Sequence, residues 1–157
     1  MAPPRAGRGV QRAMFAGRKT MNQHIERALA TLMAERAIER LIIDYAARND
    51  AGDWDALAAL YLPDGRMSRP TAPDVFIAGP EAILAAFRSR PPRVTRHIVA
   101  NIRVTVTGDT ATATSQILLF NAPGAPPLVG SYHDRLLLTE GGWRFAERAG
   151  SLDFPLT

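Results

Sequence analysis

With 157 residues, 46% of them hydrophobic, and no apolar run approaching ~18 residues, the chain fits one soluble domain able to bury its own core, and no membrane span is expected. The absence of cysteine rules out a disulfide framework and a thiolate metal site, and it fits a cytoplasmic location. The net charge of +4 is local: Arg5, Arg8, Arg12, Arg18 and Lys19 stand in the first twenty residues with no acid, leaving 14 basic against 15 acidic groups. The body therefore lacks the basic surface of a nucleic-acid binder.

Residues 1–20 are rich in Pro, Gly and Arg without apolar periodicity, so a disordered basic tail is expected ahead of a single domain over 21–157. The tail has no apolar core of the kind a secretory signal needs. An upstream extension before Met21 explains it simply, a basic targeting segment less so. From Asn22 to about Ala51, Ile25, Leu29, Leu32, Met33, Ile38, Leu41, Ile42 and Tyr45 recur at helical spacing, with a break expected near Ala34-Glu35. Gly52 ends this helix and Asp53 caps a second, Trp54 to Tyr61, before the turn Pro63-Asp64-Gly65.

Two short strands, Gly65 to Arg69 and Val75 to Ala78, flank Pro70 and Pro73. Gly79-Pro80-Glu81 starts a helix whose buried side is Ile83, Leu84 and Phe87, and Pro91-Pro92 stop it. The stretch Arg93 to Val106 alternates as a half-buried strand, with Ile98, Ala100, Ile102, Val104 and Val106 on one face and His97, Val99, Asn101, Arg103 and Thr105 on the other. Gly108-Asp109 turns into a strand from Thr110 to Phe120; strands Leu128 to Thr139 and Trp143 to about Gly150 follow. Helices gathered on one side of a curved antiparallel sheet make an α+β arrangement whose open end is a natural pocket.

Asp50-Ala51-Gly52-Asp53-Trp54-Asp55-Ala56-Leu57, Pro63-Asp64-Gly65, Gly79-Pro80-Glu81-Ala82-Ile83, Arg96-His97, Tyr132-His133-Asp134 and Gly142-Trp143-Arg144-Phe145 together resemble the SnoaL-like branch of the NTF2-like superfamily over about residues 35 to 150. The resemblance implies a cone-shaped α+β barrel, usually oligomeric, around a deep apolar pocket. It implies no single activity, because the superfamily holds dehydratases, isomerases, cyclases, dehydrochlorinases and non-catalytic binding domains.

The likeness to scytalone dehydratase and its relatives places Asp50 and His97 at the positions of a catalytic pair. A carboxylate that holds one imidazole nitrogen leaves the other to move a proton next to a carbonyl, with no metal or organic cofactor. This chain departs from that pattern at Asn49, where the relatives have a tyrosine, and at Ser115, where they have a second histidine; Arg69 falls near a further tyrosine position. Tyr132 is the first candidate for a polar partner in the pocket, followed by Arg69 and Asn101. Tyr45, Tyr61, Phe87 and Phe120 are candidate aromatic wall residues that also fit the core. The three histidines have no metal-binding spacing with a carboxylate.

The expected function is a cofactor-independent lyase or isomerase acting on a small apolar oxygenated molecule. The alternative is a non-catalytic ligand-binding or interaction domain of the same fold. A homo-oligomer, dimer or trimer, is expected through the sheet face carrying Ile98, Ile102, Val104 and Val106.

Overall fold

A computed structural model describes residues 7–91 and 93–154, with side chains from Thr20 onward. The chain divides into two units, Met1–Ala34 and Glu35–Thr157. A single helix, α1 (Gly7–Ala51), runs through the division. It begins inside the segment that composition assigned to a disordered tail, and it continues through Ala34-Glu35 without a break. Residues 1–6 of that tail lie outside the described residues. The reason for the early start is intrinsic propensity: no proline occurs between Pro4 and Pro63, and Arg, Ala, Gln, Met and Lys dominate over the three glycines of residues 7–19. In this first unit every described side chain from Thr20 to Met33 is exposed.

The second unit is built around the last turns of α1. Ile38, Leu41, Ile42, Tyr45, Ala46 and Asn49 are all buried, and their spacing of three and four residues makes one inward stripe. Gly52, at φ 71°, ends the helix in the left-handed conformation that glycine adopts without a Cβ penalty. Asp53 then caps α2 (Trp54–Ala58) by accepting from the Ala56 N–H at 3.3 Å. This helix is shorter than expected, because Tyr61 already opens strand β1 (Tyr61–Arg69), which pairs with β2 (Ala72–Ala78). Helix α3 (Pro80–Arg88) starts on its proline and buries Ile83 and Phe87; it ends before Pro91.

Strands β3 (Arg96–Thr107), β4 (Thr110–Phe120), β5 (Leu128–Thr139) and β6 (Gly142–Leu152) complete a six-stranded curved sheet in the order β2-β1-β6-β5-β4-β3, with the helices on one side. The sheet is mixed: β1 lies parallel to β6, and every other pair is antiparallel. A wholly antiparallel sheet was expected from the run of hairpins. β1 and β6 are not joined by a hairpin, however, and the helices between the ends of the chain allow them to run the same way.

Strand β3 corrects the period-2 reading. Its register against β4 shifts between Ala100 and Arg103, and Asn101 stands at φ 50°, so an extra residue bulges out there. The bulge exchanges the two faces. Val104 and Val106 pair with the buried Ala113 and Ala111 on the inner face, the same face as His97 and Val99, whereas Ile98, Ala100, Arg103 and Thr105 share the outer face. The outer face beyond Ile98 is mostly polar, with Thr112, Thr114, Gln116, His133 and Arg135 exposed along it. The apolar stripe that motivated an oligomer contact on that face is therefore not continuous. No helix among the described residues is long and apolar enough to cross a membrane.

Candidate active site

The last turn of α1 and the first residues of β3 meet through Asp50. Its Oδ1 lies 2.6 Å from His97 Nδ1 and accepts from the Thr95 hydroxyl at 3.0 Å, while Oδ2 accepts from the His97 backbone N–H at 2.8 Å. Three donors on one short segment thus hold the carboxylate, and a carboxylate so held accepts from Nδ1–H, which fixes the imidazole tautomer. Nε2 has no hydrogen-bond partner among the described residues, and the ring lines a cavity of about 450 Å³. Burial pushes His97 below the ordinary imidazole range, with Arg90 and Arg93 adding to the push; hydrogen bonding and attraction from Asp50 oppose it without reversing it. A neutral imidazole with its Nε2 lone pair toward the cavity is the form of a general base.

The cavity opens at the end of the sheet where β3 begins and β4 and β1 end. Met67, Ile117, Leu119, Leu128 and Leu152 supply its apolar wall. Of the residues expected in the site, Tyr45, Asn49, Arg69 and Tyr132 line it together with His97. Asp50 stands behind the ring and lines the adjoining depression instead. Arg69 donates through Nη2 to the Ala86 carbonyl at 3.0 Å, and its Nε is buried without a partner.

Tyr132 and Tyr45 are held from behind by a buried ion pair. Arg148 donates in bidentate fashion to Asp134, Nε to Oδ1 at 2.9 Å and Nη2 to Oδ2 at 2.8 Å, with both side chains 1% exposed or less. The guanidinium centre lies 4.3 Å from the Tyr45 and Tyr132 ring centroids and 4.4 Å from that of Phe145. Burial acts against the charge of Arg148, and Asp134 more than offsets it, so its pKa moves up. Burial also raises Tyr132 far above the ordinary phenol range, with Tyr45 adding to it and Arg148 opposing; the phenol remains a proton donor at any ordinary pH.

Five expected wall or partner residues are not part of the cavity. Asn101 sits in the bulge on the outer side, donating to Gln116. Ser115, opposite that bulge, is 2% exposed with its hydroxyl buried and unpartnered, in the sheet but outside the cavity lining. Tyr61 packs at 5.2 Å on Phe145, and Phe87 stacks at 5.2 Å on Trp54, so both belong to the core. Phe120 points outward, because it ends β4 on the same face as Gln116 and Leu118.

Sequence reasoning missed Arg90 and Arg93, which both line the cavity. Pro91-Pro92 marked the loop between α3 and β3 only as a helix stop. The signal was present in that loop: Arg88, Arg90, Arg93 and Arg96 follow one another with no acid among them. Thr71, in the turn between β1 and β2, was likewise missed.

The profile of the SnoaL-like domain matches residues 30–149. No curated protein matches the chain. Among solved structures, a candidate scytalone dehydratase from Novosphingobium aromaticivorans is 28% identical, with a TM-score of 0.69 over 78% of this chain and 86% of that one. An NTF2-like protein with a cystatin-like fold from the same organism is 27% identical, with a TM-score of 0.75 over 83% of this chain and 89% of that one. A hexachlorocyclohexane dehydrochlorinase is 21% identical, with a TM-score of 0.71 over 83% and 93% of the two chains, and shows the fold alone.

Proposed function

This chain belongs to the SnoaL-like family, whose fold is NTF2-like, and from that premise we propose that it is a cofactor-independent lyase or isomerase. The observation that carries the reading is the 2.6 Å contact between His97 Nδ1 and Asp50 at the wall of a cavity that has both an apolar and a polar side. His97 takes a proton through Nε2 from the carbon next to a substrate carbonyl. Asp50 keeps the tautomer and stabilises the imidazolium that forms. Tyr132 donates to the carbonyl oxygen as it gains charge, and the imidazolium then returns its proton either to a leaving hydroxyl, completing a dehydration, or to another carbon, completing an isomerisation. The likeness to a candidate scytalone dehydratase supports the dehydration branch.

The proton-abstraction step is testable before the substrate is known. A panel of cyclic β-hydroxyketones in D2O, followed by proton NMR, is expected to exchange the α-hydrogen or lose water with the native protein. His97→Gln is expected to bind the same compounds without either reaction. Binding by the native protein with no exchange on any member would favour a non-catalytic ligand-binding domain.

The reading keeps the protein a homo-oligomer of cytoplasmic type, but it moves the contact away from the sheet. Met21, Ile25, Leu29, Leu32 and Met33 are each 55–65% exposed and fall within one stripe of α1, which water does not favour. A second copy of this chain presents the same stripe and so offers a matching cover.

A further inference from the structure

The cavity wall carries an electrostatic imbalance that proton abstraction does not require. Among the described residues three arginines, Arg69, Arg90 and Arg93, line it, and no aspartate or glutamate does. Neither Arg90 nor Arg93 has a carboxylate within ion-pair distance among the described residues; Arg88, by contrast, pairs with Asp55 at 2.7 Å, and Arg66 is paired with Glu147. Asp50 lines the adjoining depression with Arg90 and Arg93, but its oxygens are already engaged by Thr95 and His97. Arg90 lies with its guanidinium 3.9 Å above the Phe87 ring, and its N–H edge has no side-chain hydrogen bond among the described residues.

We propose that the substrate of this site carries a carboxylate, gripped by Arg90 and Arg93 at the rim beside Arg69, while its apolar body extends along Ile117, Leu119 and Leu128. This rests on the cavity being the substrate site, and it deepens that reading by naming the substrate class: a small amphiphilic acid. Planar guanidinium groups match a carboxylate in a way that a neutral carbonyl compound does not exploit. Burial first lowers Arg90 to about 10, with Tyr45 opposing and the neighbouring charges of Arg69 and Arg93 adding a smaller repulsion. An anion at the rim relieves that repulsion. The arginines sit on the end of β1 and in the loop after α3.

The test is a matched pair of probes, 2-naphthoate and 2-naphthamide, titrated calorimetrically into the native protein at low salt. The two have the same ring system and differ in charge. The carboxylate is expected to bind about tenfold more tightly or better, and added salt is expected to narrow the gap. In Arg90→Gln/Arg93→Gln the preference is expected to vanish while the amide affinity is unchanged. That unchanged affinity also shows that the variant is folded. His97→Gln is expected to keep the preference, so the charge assignment is read independently of any catalysis. Equal affinities in the native protein, no measurable binding of the naphthoate, or a preference that survives loss of both arginines would overturn the proposal.

Discussion

His97 and Arg148 show how the same kind of pairing serves two ends. Asp50 holds an imidazole that stays neutral, because burial outweighs the carboxylate's pull. Asp134 holds a guanidinium that stays charged. The pH dependence follows from the first pairing. The folded imidazole resists a proton that the unfolded chain accepts near pH 6.5, so this contribution to stability is complete above about pH 6.5 and is lost as pH falls toward the depressed folded value. α-Proton exchange, which reads only the folded imidazole, should be flat above its depressed pKa and decline below it, and Asp50→Asn should lower the rate by about 10²–10⁴-fold with substrate affinity nearly unchanged. The second pairing is structural. Arg148→Met strands a buried carboxylate and should cost about 3–5 kcal/mol in a denaturant titration, with Asp134→Asn similar; a loss below ~1 kcal/mol would mean that water reaches the pair. The meeting of Asp50 and His97 was expected from the resemblance alone, which places them at matching motif positions; the local pattern by itself left Asp50 open to a plain helix-end role beside Gly52. Arg90 and Arg93 left a trace in the acid-free arginine run of their loop, but only the fold shows that this run turns toward the cavity.

At the scale of elements, β3 decides where the site faces. Alternation alone set His97 opposite Val104 and Val106, and a single αL residue at Asn101 puts them on the same side. Period-2 reasoning has no means of locating such a bulge, since asparagine is only one of several residues that tolerate the conformation and the flanking pattern is regular on both sides. The hairpin partners β4 and β5 contain no bulge in their mutual register, and both were read at their true bounds. Asn101→Gly should leave stability within about 0.5 kcal/mol or raise it, whereas Asn101→Val, whose branched side chain resists positive φ, should cost about 1–3 kcal/mol. Equal effects of the two substitutions, measured by thermal unfolding, would show that the residue relaxes out of the αL region.

For the whole molecule, the division at Ala34 separates what the sequence handled well from what it did not. In Glu35–Thr157 the element types follow the sequence signals apart from the short α2 and the bulge in β3, and β3 to β6 lie side by side in chain order because short connections join them. In the first unit, low apolar periodicity before residue 20 suggested an unstructured tail, but local propensity alone extends the helix to Gly7. A variant beginning at Glu35 should keep its melting temperature within a few degrees, since the removed side chains from Thr20 to Met33 are exposed. It should also sediment as a monomer where the full chain self-associates. A full chain that is monomeric at micromolar concentration would remove the helix stripe as a contact.

The central claim, a neutral His97 fixed by Asp50 with Nε2 turned to the cavity, can be read without any substrate. A 15N NMR titration of the imidazole, assigned by comparison with His97→Gln, reports tautomer and pKa together. The expected result is a proton on Nδ1, an unprotonated Nε2 at pH 7, and a midpoint below the ordinary value of about 6.5. An Nε2–H tautomer, or a midpoint above 7, would contradict the account, for the ring would then have no lone pair to offer the cavity at neutral pH.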